Sequence, residues 1–286
     1  MLKVIRKSFG VARTELLNWL HNPRIMLMFM LVIVIYTLAV EPLIQRAEKT
    51  DMPLNVFEPM IAVGNSGLLA LLMPSVFMVL ISDYPPIKQN SMLYVIRIGK
   101  KSWFYGQLLF AFFSIVIFIG GIFLIVGFTC ANGSNIDLKW SESTRKFIFL
   151  FPEEANSFVA QLLPSNLYNQ LSLSQALSHT FVLLALYFFT LALVLMLFVI
   201  LNKRSIGLLV TFLIILCGVV TCSVKSPLMW CFPMGNSIIW LHYTEIMKEP
   251  IYPIWCSYLY FIVIITVLLT TNRLLVKKIN FDKTEE

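Results

Sequence analysis

Charge is scarce in this sequence. Of its 286 residues, 13% are Asp, Glu, Lys or Arg and 58% are hydrophobic, whereas a soluble domain is about half apolar and a quarter charged. A soluble core cannot absorb that apolar excess, but a bilayer can. Paired cysteines are lacking too. Cys130, Cys217, Cys222, Cys231 and Cys256 form no C-x-x-C unit and no zinc spacing. Burial among apolar neighbours is the plain expectation for them. An outer-face Cys222–Cys231 disulfide stays open, because spacing does not fix connectivity.

Catalytic and nucleotide-binding signatures are also missing. Gly99-Lys100-Lys101-Ser102 imitates the end of a P-loop, but Tyr94 stands where the upstream glycine belongs and Lys101 intrudes. His21, His179 and His242 lie far apart, none in H-E-x-x-H, which speaks against an intramembrane zinc protease. Glu153-Glu154 follow Pro152 and read as a solvated turn rather than a catalytic carboxylate pair. No catalytic residue, metal site or bound cofactor is expected in the chain itself. A cleavable signal is not expected either, since the first apolar run begins only after Arg24 and no A-x-A-like site follows it. There is no internal repeat, heptad run or low-complexity tract.

What is present is a series of apolar runs. Spanning needs roughly 17–25 mostly apolar residues in a helix, because backbone groups cannot go unpaired in lipid. Six stretches qualify: 24–41 (a short one), 60–82, 102–130, 179–201, 205–224 and 252–272. The predicted fold is an all-α integral membrane protein of one transmembrane domain. Residues 1–22 precede it as an amphipathic element, 24–130 hold spans one to three, and 131–178 form an outer loop. Residues 179–272 hold spans four to six, and 273–286 form a tail. Cations set the orientation. The side shared by both termini holds 15 Lys and Arg and 5 acids, and the other side holds 7 and 10, for net charges of +10 and −3. Both termini are therefore expected in the cytoplasm of a multi-pass plasma-membrane protein. The overall charge of +7 belongs to the membrane surface, and no nucleic-acid partner is expected.

The first twenty residues are predicted to form a separate helix. Leu2, Ile5, Phe9, Ala12, Leu16 and Trp19 recur at steps of three and four, and Lys3, Arg6, Lys7 and Arg13 fall off that stripe. Such a helix suits the membrane interface, with cations near anionic headgroups. Asn22-Pro23 breaks it before the first span. On the outer side, 131–178 carries Asn132-Gly133, Pro152, Pro164 and an apolar patch at 147–151. It is long enough to fold back as short helices. Residues 225–251 are rich in proline and aromatics, as expected for a segment at the interface or re-entering the membrane.

The predicted spans are nearly free of charge, whereas ion-coupled transporters carry intramembrane acids, bases or histidines as relays. Their polar residues are mild. Asn65, Ser66, Gln107 and Thr190 are the candidates for lining a translocation path, although bonding between helices is the commoner role of such residues. Uphill transport would therefore need a partner that hydrolyses ATP. Spans this mild would suit a lipid-like molecule or an amphipathic peptide, and equally plain packing.

The most informative stretch joins the second and third spans. Asp83, Tyr84, Pro85 and Pro86 close the second span. Ile87 to Ile96 can form about three helical turns, with Met92, Leu93 and Ile96 on one side and Tyr94 among them. Arg97 and Gly99 follow, with Gly99 as a helix stop. Lys100 and Lys101 anchor the cytoplasmic end, and Trp103 opens the third span at the interface. A short helix rigidly joined to two spans is a mechanical handle. In this segment, with its Arg97-x-Gly99-x-x-x-Trp103 run, and in the preceding amphipathic helix and six-span layout, the chain resembles the permease subunits of type-2 ABC exporters, Gram-positive-like branch. The 48-residue outer loop departs from that family's short link between the third and fourth spans.

The resemblance implies a separate cytoplasmic ABC ATPase subunit that binds ATP and magnesium, and a second permease copy or a paralogue. It implies that residues 83–98 form the main ATPase contact, with Lys203 and Arg204 in a second, shorter cytoplasmic turn. Membrane lipids would contact Leu2, Ile5, Phe9, Leu16 and Trp19 of the first helix. The rival expectation, favoured by the long outer loop, is a non-transporting scaffold, sensor or immunity protein that binds a ligand with its outer loops.

Overall fold

A computed structural model describes residues 2–86, 97–131, 134–244 and 250–278. Among these the architecture is helical, with isolated bridges in place of strands. Five helices are long and apolar enough to cross a membrane, and a sixth crossing arises if one sharply bent pair counts as a single span.

Helix α1 (Leu2–Leu20) ends before a 3₁₀ turn at Pro23–Ile25, where Asn22 Oδ1 accepts from Arg24 N at 3.0 Å. Ser8, Val11, Ala12 and Trp19 are buried, while Ile5 and Phe9 are more than half exposed and Leu16 is half-buried. At 100° per residue this buried face is rotated roughly 70° from the apolar stripe read in the sequence. The reason is packing against the third long helix. Ser8 Oγ donates to Ser102 O at 3.0 Å, and Trp19 meets Phe110 edge to face. A Cβ on Gly106 would lie 2.5 Å from the Val11 Cβ, so only glycine permits this approach. Phe9 touches Phe113 edge to face, but among the described residues Ile5 and Phe9 remain a largely exposed apolar face.

The first long helix runs from Met26 to Thr50 rather than stopping near Glu41. It comprises α2 (Met26–Ile35), a π turn at Tyr36–Val40, and α3 (Glu41–Thr50). Pro42 has no N–H to donate, and the widened turn just before it absorbs that loss without ending the helix. Asp51, with φ 53°, closes it in the left-handed conformation.

The second apolar stretch is not one helix. It consists of α4 (Phe57–Asn65) and α5 (Leu69–Leu80), which meet at 81°. Composition predicts continuity, but Asn65 is recruited elsewhere. Its Nδ2 donates to Thr180 Oγ1 at 2.9 Å, its Oδ1 accepts from Ile239 N at 2.8 Å, and its carbonyl accepts from Trp240 Nε1 at 2.9 Å. Ser66 then turns extended, with ψ 127°.

The third helix, α6 (Lys100–Cys130), starts after Gly99, whose φ of +94° strongly favours glycine, and residues 97 and 98 before it are helical. The break expected at Gly99 is thus present. Trp103 is 1% exposed and packs in the protein core. Three short helices follow: α7 (Glu142–Leu150), α8 (Phe158–Leu162) and α9 (Ser165–Tyr168). The fourth long helix, α10 (Leu173–Ile200), begins six residues before the expected His179, because Ser172 and Gln175 form a reciprocal capping box. Helix α11 (Arg204–Ser223) leads to a 3₁₀ turn at Pro227–Cys231, α12 (Pro233–Ser237) and a further 3₁₀ turn at Ile239–His242. Helix α13 (Ile254–Lys278) runs past the expected end at Asn272, whose Nδ2 donates to Leu193 O in α10. Cys222 is buried and Cys231 exposed, and both are free thiols.

Candidate functional site

The termini of the long helices gather at two ends. At one, Asp83 ties three chain segments together. Arg24 Nη1 donates to Asp83 Oδ2 at 2.7 Å and to Ser82 Oγ at 2.7 Å, and Arg204 Nη2 donates to Asp83 Oδ1. Arg24 starts the first long helix, Asp83 follows the second, and Arg204 opens α11. Each position follows from local sequence. Asn22-Pro23 fixes the turn that carries Arg24. Arg204 sits at a helix N-terminus, where the helix dipole disfavours a cation and a carboxylate relieves it. Burial raises the Asp83 carboxyl, but Arg204 and then Arg24 outweigh that, so it lies below the usual carboxylate range. All three side chains remain about 40% exposed.

Next to this clasp Tyr84 points inward. Its hydroxyl donates to Gln107 O at 3.2 Å, with Met196 Sδ at 3.5 Å, and its ring lies 5.6 Å from Phe110. Tyr84 is 2% exposed and Pro85 is buried, so neither offers surface to a partner, contrary to the expectation for both. Tyr84 fastens the end of α5 to α6 and α10. Asp83, Arg97, Lys203 and Arg204 remain accessible at this end. Ile87, Met92, Leu93, Tyr94 and Ile96, and with them the expected three-turn helix, lie outside the described residues.

The opposite end is built from buried hydrogen bonds. Glu58 is fully buried and accepts from Ser141 N at 2.6 Å, Ser141 Oγ at 2.9 Å and Thr144 Oγ1 at 3.0 Å. Arg46, 1% exposed, donates to Thr144 O at 2.6 Å and lies over the Phe147 ring at 4.4 Å. Asn55 Nδ2 donates to Asp137 O and Lys139 O, and Lys49 pairs with Glu154 at 2.7 Å. Residues 134–172 are therefore a folded cap clamped to 46–58. Beside it, His242 Nε2 meets Ser257 Oγ at 2.8 Å, Ser257 Oγ donates to Asn236 Oδ1 at 2.8 Å, and the Asn236 amide donates to Trp230 O and Phe232 O. Burial pushes His242 down to about 4. Acceptance by the Ile238 and Ile239 carbonyls opposes the shift, and His179 adds to it.

Between the cap, the broken second stretch and the 225–242 segment lies a cavity of about 760 Å³. Asn65 and Ser66 line it. Gln107 and Thr190 do not. Gln107 is buried beside α1, and Thr190 Oγ1 donates back to Leu186 O. The hydroxyl of Thr190 is consumed by its own helix, which is what a lone threonine in an apolar helix does by default. The local sequence does not single out Arg24, Arg46, Glu58, Asn166 or Lys225: each stands in it as a flanking charge or a loop residue, and no local pattern marks its partner. Among the described residues no three His, Cys, Asp or Glu side chains come together as a metal site. Compared with protein-family models, curated proteins and solved structures, the chain matches none.

Proposed function

We propose that the chain is the membrane-spanning permease subunit of an ATP-driven exporter of the type-2 ABC class. It would cross the plasma membrane six times, with both termini and the Asp83 end in the cytoplasm. The observation that carries this reading is the clasp at Asp83. The bridge between the second and third long helices is bonded at its first residues to the starts of the first and fifth, and through Tyr84 to the third and fourth. A force applied to that bridge reaches five helices at once. The permease supplies the moving wall. ATP and magnesium belong to the partner subunit, and a second permease copy or a paralogue completes the path. The exposed Ile5 and Phe9 face of α1 would rest in lipid. The bent α4–α5 pair counts as the second crossing.

The test is co-purification from native membrane in mild detergent. The expected companion is a soluble subunit with a P-loop and an ABC signature, and charge substitutions at Met92 and Tyr94 should release it. If the chain comes out alone and those substitutions leave export intact, the reading fails. One observation favours a second reading. A cap as firmly folded as residues 134–172 would also serve a receptor or immunity protein that binds at the outer face and transports nothing.

A further inference from the structure

We infer that the 760 Å³ chamber under the cap is a binding site for an amphipathic peptide that presents a carboxylate. As the substrate site of the exporter, this inference rests on the permease reading; as a binding site it does not. The chamber opens where Asn65 breaks the second apolar stretch. The cap roofs it, the end of α11 walls it, and the segment around Met234 and Trp240 floors it. Its volume falls in the range of roughly 300–1,000 Å³ typical of ligand sites.

Three features select the ligand. First, Lys225 is the one charged residue among the described lining, and no carboxylate joins it there. It occupies the left-handed conformation after α11, with φ 51°, and its ammonium lies 5.8 Å from the centre of the Trp240 ring. Lys225 is exposed, and a cation in a lining that holds no acid favours an anion. Second, Asn156, Gln161 and Asn166 line the chamber with side-chain amides. Asn156 and Gln161 each offer a donor and an acceptor, the same pair that a peptide group offers in return. Asn166 sharpens this point. Its Nδ2 is fixed by Trp240 O at 2.7 Å and Tyr243 O at 3.1 Å, which settles the orientation of the amide. Its Oδ1 is left without a donor although the residue is only 6% exposed. That oxygen has almost no accessible surface, so a ligand N–H would meet it only after a local shift of its neighbours, and an acyl chain would gain nothing from such a shift. Third, Leu68, Phe158 and Met234 supply apolar surface for side chains. A lipid would use the first and third features and leave the amides bare.

The test uses the purified full-length protein in phosphatidylcholine nanodiscs. It is titrated with a fluorescent Leu- and Phe-rich nonapeptide carrying a free C-terminal carboxylate, with the same peptide as its C-terminal amide, and with myristate. The carboxylate form should bind saturably and the amide form roughly ten-fold more weakly, the scale of one charge-assisted contact. Lys225→Asn, which tolerates the left-handed backbone, should remove that difference, and Lys225→Arg should keep it. The inference is overturned if myristate binds as tightly as the peptide and displaces it, which would make this a lipid site. It is also overturned if the two peptides bind alike, if their difference survives in Lys225→Asn, or if folded protein shows no saturable binding. No ATPase takes part in this assay. Binding in a chain that has no ATPase companion would keep the chamber and sink the permease reading, and an ATPase companion without binding would do the reverse.

Discussion

The two ends of the molecule are held by different physics. At the Asp83 end, one carboxylate and two guanidiniums meet with about 40% of each side chain in solvent. Such pairs contribute about 0–1 kcal/mol each, since water competes for every charge. At the Glu58 end the polar groups are buried. Glu58, His242, Ser257 and Asn236 are fully enclosed, and their bonds run to backbone and hydroxyl partners. There the cost lies in breaking a bond, because the abandoned partner stays buried and unpaired. A weak, reversible tie suits a joint that opens and closes, and a dry network suits a wall that keeps its shape.

The largest expected effect tests the wall. Glu58→Ala removes the acceptor for Ser141 N, Ser141 Oγ and Thr144 Oγ1 and leaves buried Arg46 without its nearby carboxylate. A loss of about 3–5 kcal/mol is expected, read as a lowered unfolding temperature in detergent. Protease sensitivity should appear first within 134–172. Glu58→Gln keeps one oxygen acceptor and should lose less, about 1–3 kcal/mol. If Glu58→Ala melted like the parent, the contrast between the two ends would collapse.

A smaller effect comes from acid. His242 is fully buried and titrates at about 4, below the ordinary 6.5. Between these values the unfolded chain binds a proton that the folded chain refuses. Stability is therefore complete above pH ~6.5 and declines as pH falls towards ~4, by about 3 kcal/mol in all. Thermal unfolding followed across that window should show the decline. His242→Gln, which cannot take up a proton, should flatten the curve while lowering its plateau. An equally steep curve in the variant would assign the acid sensitivity to other groups.

The sequence conveys these ends unequally. Long apolar runs mark the helices at Lys100–Cys130 and Arg204–Ser223 to within two residues, because hydropathy depends on composition alone, whereas the last helix outruns its apolar stretch by six residues to Lys278. The break at Asn65 escaped because its cause lies 175 residues away, in the Trp240 indole that takes the Asn65 carbonyl. The rotation of α1 escaped for a related reason. Apolar periodicity marks apolar faces without telling which of them the fold covers, and among the described residues the face on the Gly106 groove is buried while Ile5 and Phe9 stay more than half exposed. The capping box at Ser172 and Gln175 was legible in principle, but it sat inside a polar stretch read as loop. At the clasp, Asp83 and Arg204 were recognisable as a span end and a turn. That they meet, and that Arg24 joins them, is a matter of tertiary approach. In the chamber, Asn65 and Ser66 were named while Lys225 and Asn166 were not. A single cation after a helix and a single amide in a loop carry no periodic signal.

The smallest expected effect on stability is the sharpest test of the joint. Asp83→Asn removes the charge and keeps the shape. Its unfolding should change by no more than about 2 kcal/mol, ~1 for each of the two pairs, and raised salt should narrow even that gap by screening the parent's pairs. Reversal is more informative. Asp83→Arg sets three cations together and should destabilise further. Adding Arg204→Asp restores one opposite pair but leaves Arg24 facing the new arginine, so recovery should be partial. A double-mutant cycle over Asp83 and Arg204 measures their coupling directly. A coupling energy below 1 kcal/mol fits a joint that thermal motion can open. One of several kcal/mol would make the clasp a structural rivet like Glu58, and the division of the molecule into a firm wall and a yielding hinge would have to be abandoned.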